Sequence, residues 1–325
     1  MRVHTNAGVV RYIIMSYEKN RNTGAVFRAL TGVDVRDFDL LLPYFRDAHD
    51  KYFRYHQLGG KPRKGIRPPV IYKTSPLPSV EDRLYFILYY LKNNPTQQLM
   101  ADHFDMEKGN CNVWIHTLYG ILTEALSEMG VTPASSSKDL ALLYRRLNDE
   151  DLSVLIHDGT EREIPRPQDN DHQRDTYSGK KKRHTLKNGI VTTFMGAILF
   201  VSPTVSGKTH DKRIADDFYF FPEKSYVIQD TGYLGYKGDW DTFMPFKKPR
   251  GGQLDEYHKK FNRTVSSHRV RIEHYIGSAK ILRTVKDECR LRKNRVPETV
   301  MHVAAAIHNL RLGVKLPLKA KIYLT

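Results

Sequence analysis

Along the first 138 residues, apolar positions recur every three or four residues, the spacing of helices that bury one face. One helical segment is expected at roughly 33–55. A second starts at Ser79, with Glu81 and Asp82 in its first turn, and turns Leu84, Ile87, Leu88 and Leu91 inward until Asn93, Asn94 and Pro95 stop it. Thr96 then caps a short helix, QQLMADHF, whose Leu99, Met100 and Phe104 face inward. A polar turn at 105–110 leads into a longer helix with Trp114, Leu118, Ile121, Leu122 and Ala125 on one face. Beyond Asp139 strands and helices mix. Residues 154–156 read as a short apolar strand ending in His157 and Asp158. Residues 177–186 and 190–201 read as two strands joined by a hairpin signal at Lys187, Asn188 and Gly189. A helix start is expected at Asp211, a short strand at 226–228 ending in Gln229 and Asp230, and another strand near 244–246. The final third returns to helix, closing with Val300, Val303, Ala304, Ile307 and Leu310 on one face. The pattern predicts an all-α N-terminal region followed by an α/β unit, one mixed sheet flanked by helices.

Breaks in composition divide the chain. Residues 59–78 carry five prolines and three glycines among basic residues, which reads as an extended linker or arm. The serine-containing run at 133–138 is a second hinge. The expected units are an N-terminal helical segment at 1–58, the linker at 59–78, a helical unit at 79–138, the α/β unit at 139–312 and a tail at 313–325. Helix, short helix, turn, helix is the order of a helix-turn-helix. On that reading Lys108, Asn110, Asn112, His116 and Thr117 sit on the exposed side near the start of the last helix, where base edges would be met. A plain three-helix bundle with a solvated face fits the same periodicity.

Charge narrows the partners. The chain has 52 Lys and Arg against 36 Asp and Glu, a formal charge of +16, which points to a polyanion. Nucleic acid is the first candidate and an anionic membrane surface the second. The longest apolar run, 190–201, is too short for a span that needs roughly 20 residues, so no membrane partner is expected. No secretory leader is visible in the first fourteen residues, and a reducing, cytoplasmic setting is the expectation. Cys111 and Cys289 are too few for a disulfide framework or a zinc site and read as packing residues.

Two acids, Asp158 and Asp230, each follow a short apolar strand, and each is followed by glycine within two residues, in HDGTE and QDTGY. If those strands are neighbours, both carboxylates reach one sheet edge, where hard divalent cations bind oxygen ligands. A third acid, Glu273, lies in the helical stretch SHRVRIEHYIGSAKILR, where Arg269, Glu273 and Lys280 share one stripe at about 100° per residue. Such a set suits in-line phosphodiester chemistry on two metal ions. Oxygen donors alone, without thiolates or paired histidines, favour magnesium over zinc. Singly, each acid has a plainer reading: a turn former or helix cap for the aspartates, a solvated charge for Glu273. His157 should point to the face opposite Asp158, and neither His210 nor His274 is expected to act as a ligand.

Four motifs then stand in order: DGTE around Asp158, YSGKKKRHTLK from Tyr177, DTGYLG from Asp230, and R-x3-E-x6-K from Arg269 to Lys280. Together they resemble bacterial DDE transposases, with the closest likeness to the insertion-sequence-five group, related to the PIF/Harbinger superfamily. The resemblance covers about 79–312. It implies a ribonuclease H-like catalytic domain behind a helix-turn-helix DNA-binding domain, with Asp158, Asp230 and Glu273 binding two Mg²⁺ or Mn²⁺ ions. It also implies recognition of terminal inverted repeats, strand cleavage and strand transfer, a dimer or higher assembly on DNA, and a nucleoid-associated life in the bacterial cytoplasm. The family's helix motif begins with a Tyr three residues before the Arg; here that position is Ser266.

Charge supports the same picture. Between residues 245 and 295 there are fifteen Lys and Arg against five Asp and Glu. With Lys180, Lys181, Lys182 and Arg183, the cations Lys247, Lys248, Arg250, Arg269 and Lys280 are expected to line a duplex channel. A domesticated transposase-derived nuclease, a non-catalytic helix-turn-helix regulator and a ribonuclease or phosphatase of the same fold are the alternatives at this level.

Overall fold

In the computed structural model, residues 15–288, 290–291 and 295–318 are described in full and residues 2–4 and 10–12 by their backbone. Cys289 and residues 319–325 of the expected tail therefore lie outside the described residues. β1 (Arg2–His4) and β2 (Val10–Tyr12) form an antiparallel ribbon. Three helices follow: α1 (Tyr17–Arg21), α2 (Gly24–Thr31) and α3 (Val35–Tyr55).

The helix-turn-helix order is present as α4 (Val80–Asn93), α5 (Gln97–His103) and α6 (Lys108–Met129). Its boundaries have local causes. Ser79 Oγ accepts from the Asp82 amide at 3.0 Å and Thr96 caps α5, while Asn94 in the left-handed region ends α4. α4 is buried on nearly every side, because α2, α3 and α6 pack around it. Met100 and Phe104 face inward, but Leu99 is 40% exposed. Three inward positions would need more than the single stripe that a seven-residue helix presents to α6.

One buried cation ties this region together. The Arg83 guanidinium lies over the rings of both Phe53 and Trp114, at 5.2 and 4.8 Å, and contacts the His49 imidazole. α3, α4 and α6 therefore meet around one side chain, and residues 17–131 contribute to one core.

After α7 (Ser137–Tyr144) and α8 (Asp149–Leu152) comes the sheet. Its centre is β3 (Val154–Glu163). α9 (Asn170–Thr176) and β4 (Tyr177–Ser178) precede β5 (Arg183–Thr193), which pairs antiparallel with β3, β4, β6 (Ile198–Val201) and β7 (Val205–Ser206). α10 (Asp211–Phe218) leads to β8 (Tyr226–Ile228), parallel to β3, and β9 (Asp241–Phe243), parallel to β8. α11 (Glu256–Ala279), α12 (Arg283–Lys286) and α13 (Val296–Leu312) complete the chain. Side chains alternate across the sheet: Leu155, Val191 and Val227 join Ile214 and Tyr219 of the α10 side, while Ile156, Ile190 and Ile228 join Ile272 and Ile276 of α11.

Three expectations change here. β3 does not stop at Ile156 but runs through Asp158 to Glu163, because β5 pairs with it along its whole length. Lys187, Asn188 and Gly189 are no turn; they are the middle of β5, where Asn188 is fully buried and bonds Arg162 Nη2 and the Ser202 carbonyl. Residues 190–201 are two strands rather than one, reversed at residues 194–197 with Gly196 at φ +104°.

Candidate active site

The parallel register of β3 and β8 positions the two aspartates. Ile156 pairs with Ile228, and two residues further along each chain stand Asp158 and Asp230. β8 has ended there, so its side of β3 is open at Asp158. Asp158 Oδ1 accepts from the Gly159 amide at 2.8 Å, and Asp230 Oδ1 from the Thr231 amide at 2.6 Å. Burial pushes the Asp158 carboxyl up to about 6, against the Gly159 amide and Arg269, which lower it; the carboxylates of Asp211 and Asp230 add to the rise. Asp158 shares the face of Ile156, the side of α11.

α11 sends its cations to this edge. Arg269 Nη2 stands 3.4 Å from Asp230 Oδ2, with its side chain 18% exposed. Lys280 Nζ donates to the Glu161 carbonyl of β3 at 2.9 Å, and burial lowers its pKa to about 8. Glu273 lies between them on the same helix stripe, exposed and, among the described residues, without a hydrogen-bond or ion-pair partner.

The donor chemistry fits a divalent cation. Among the described residues one guanidinium, that of Arg269, pairs with these aspartates, and a hard cation would offset first the burial and then the neighbouring carboxylates that raise the Asp158 carboxyl. As the side chains stand, no three His, Cys, Asp or Glu among the described residues are close enough together to hold an ion. Glu273 would have to swing in from the exposed rim.

Asp211 was read from the sequence only as a helix start. It sits behind the site, across β3, where its Oδ1 stands 3.2 Å from Lys187 Nζ. Lys187 in turn lies 3.4 Å from Glu161 and donates to the Thr209 carbonyl at 2.9 Å. A Cβ on Gly159 would lie 2.4 Å from Asp211 Oδ1, and one on Gly232 would lie 3.7 Å from Oδ2. The signal in the sequence was the glycine after Asp158: a glycine inside a strand marks a close approach.

His157 is on the opposite face from Asp158, between the Tyr219 hydroxyl and Gln229 Oε1, each at 2.9 Å, and burial lowers its pKa to about 3. Lys180, Lys181 and Lys182 are exposed at the tip between β4 and β5, whereas Arg183 pairs with Glu163 at 2.6 Å. Lys247, Lys248 and Arg250 are exposed in the loop before α11. On α6, Lys108 and Asn110 are exposed, and Asn112 and His116 half-buried. Thr117 is buried, against expectation: the linker turns back onto α6 and the Gly59 amide donates to its hydroxyl at 3.2 Å.

Comparison with known proteins agrees with this architecture. Residues 157–309 match the DDE superfamily endonuclease family, and 75–128 match the helix-turn-helix of DDE superfamily endonuclease. The chain is 26% identical over 305 residues, 93% of its length and 100% of the relative's, to a probable transposase for insertion sequence element IS702 from Microchaete diplosiphon. No solved structure matches the chain significantly. Members of this superfamily generally use divalent metal ions, and among the described residues no helix is long and apolar enough to cross a membrane. A helix-turn-helix packed ahead of a mixed sheet that carries paired aspartates, each part matched by the corresponding family, marks residues 75–128 and 157–309 as the two parts of a DDE superfamily endonuclease.

Proposed function

We propose that the chain binds the terminal inverted repeats of an insertion sequence through its helical half, and cuts and joins DNA strands at Asp158, Asp230 and Glu273. The observation that carries this reading is the β3–β8 register, with two carboxylates side by side at one sheet edge under the helix stripe of Arg269, Glu273 and Lys280. The three acids would hold two Mg²⁺ or Mn²⁺ ions, since every donor is an oxygen. Bound there, such ions polarise the scissile phosphodiester and stabilise the leaving oxygen.

The chain's own groups supply position. Each aspartate is fixed through Oδ1 by the amide that follows it, and Arg269 stands where a phosphate oxygen would meet its guanidinium. The exposed cations at 180–182 and 247–250 grip the duplex backbone, and Lys108 and Asn110 meet base edges. Hydrolysis at the element end exposes a 3′-hydroxyl. That hydroxyl then attacks a target phosphodiester in a second displacement, whose leaving group is the target's own 3′-oxygen. Two ends must be held together, so the active form on DNA is a dimer or larger, working on chromosomal DNA in the cytoplasm.

The test is cleavage of labelled linear duplexes carrying the element ends, with Mg²⁺ or Mn²⁺ and with chelator. Asp158→Asn, Asp230→Asn and Glu273→Gln are each expected to abolish cleavage while end binding stays within about twofold. Full cleavage by any of the three variants removes that residue from the site.

A further inference from the structure

We infer that the linker at residues 59–73 is a DNA-binding arm that lies in the minor groove beside the groove entered by α6. The inference rests on the proposed binding of element ends, and it assigns a separate contact to the exposed side chains of that segment. Residues 51–80 contain seven Lys and Arg and not one Asp or Glu. In a chain with 36 acids in 325 residues, a thirty-residue stretch without any is a bias toward a polyanion.

The arm is anchored where it starts. The Gln57 amide donates to the Lys61 carbonyl at 2.8 Å, and the Arg63 amide to the Tyr55 carbonyl at 2.8 Å, so the chain reverses onto the end of α3. Arg63 Nε donates to the Phe53 and His56 carbonyls. Gly59 sits against α6, bonded to Thr117, and a Cβ there would lie 3.2 Å from Val113. The α6 stripe of exposed Lys108 and half-buried Asn112 and His116 runs beside that contact. The arm thus leaves the protein next to the residues that would meet the major groove, and returns at Leu77, which is fully buried.

Between those anchors most side chains face solvent, although Ile71 packs against the hydrophobic core and the Arg67 amide donates to the Arg54 carbonyl at 3.4 Å. Lys64, Arg67 and Lys73 are exposed, and so are Ile66 at 73%, Val70 at 60% and Tyr72 at 70%. Residues 66–72 form neither helix nor strand, and Pro68 and Pro69 keep the backbone extended. A slim extended chain whose cations flank exposed apolar side chains suits the minor groove, about 6 Å wide, where cations sense A·T-rich potential and apolar groups press on base steps. A solvated linker would gain nothing from three large exposed apolar side chains.

The experiment compares wild-type full-length chain with a Lys64→Ala, Arg67→Ala, Lys73→Ala triple variant and with Ile66→Ser. Each is titrated by gel shift on an element-end duplex and on a scrambled duplex, over a range of salt and with netropsin as minor-groove competitor. The triple variant is expected to bind both duplexes at least tenfold more weakly, with a log–log salt slope shallower by about two to three. Netropsin should displace the wild type and have little further effect on the variant. In a footprinted tract, replacing A·T by I·C, which keeps the minor-groove edge, should be tolerated, whereas G·C should not. Unchanged affinity and slope in the triple variant overturn the arm. A shallower slope with no netropsin effect and tolerance of G·C overturns the minor-groove assignment, leaving a backbone contact. Equal wild-type binding to both duplexes sinks end recognition instead, and the arm is then judged on the scrambled duplex by the same slope and competition.

Discussion

Gly159 shows how a single residue sets the geometry behind a carboxylate. Its missing side chain leaves room for Asp211, whose Oδ1 would lie 2.4 Å from any Cβ built there. Gly159→Ala must therefore shift either Asp211, away from Lys187, or β3 itself, one residue from Asp158. Cleavage of end duplexes is expected to fall more than tenfold with end binding unchanged, and wild-type cleavage would show that Asp211 yields freely. The same neighbourhood explains one misreading of the sequence. Lys187 and Asn188 look like turn residues because both are polar. Yet Lys187 meets Glu161, Asp211 and the Thr209 carbonyl inside the fold, and Asn188 meets Arg162 and Ser202. Internal partners from distant segments cancel the cost of burial, and one strand's polarity cannot reveal them. That Asp158 and Asp230 stand at neighbouring strands was legible because each acid follows a short apolar run and precedes a glycine within two residues. Asp211 was not, since its relation to β3 exists only after α10 docks.

At the scale of elements, boundaries were easier to read than environments. Ser79 and Thr96 announced the starts of α4 and α5 through short-range bonds that the sequence itself contains. That α4 is surrounded, or that Thr117 lies under the returning linker, depends on contacts across 34 to 58 residues, such as Arg83 with His49 and Gly59 with Thr117. The Arg83 seam makes α3, α4 and α6 one body. Trp114→Ala removes one wall of the slot that holds the guanidinium and leaves a cavity beside Phe53. Stability is expected to fall by about 3 kcal/mol, measured by urea unfolding, with end binding weakened because α6 loses its support. A loss under about 1 kcal/mol would mean that the slot collapses without cost.

Across the whole molecule, the helical half leans on the C-terminal helices. The Thr284 hydroxyl donates to the Leu91 carbonyl, Lys92 Nζ to the Ile281 carbonyl, and Asn94 Nδ2 to the Glu288 carbonyl, while the Tyr119 hydroxyl meets Thr299 Oγ1. One hydrophobic cluster runs from Tyr17 to Leu310. A fragment of residues 1–138 is therefore expected to expose apolar surface and bind a hydrophobic dye, and the full chain to unfold in one transition; a well-folded fragment would contradict the shared core. Acid should attack this assembly at its seams. His49 lies between α3 and α4, while His302 and His308 join α13 to the Val201 and Gly196 carbonyls, and burial lowers the pKa of all three. For His302 the folded value falls to about 4, below an unfolded value of about 6.5. Between those two values the unfolded chain binds more protons, so stability is complete above about pH 6.5 and is lost as the pH falls toward 4. His302 alone accounts for about 3 kcal/mol over that window. His302→Gln, which keeps a donor for the Val201 carbonyl, should flatten the fall in melting temperature between pH 7 and pH 5. An equally steep fall in that variant would place the acid sensitivity elsewhere.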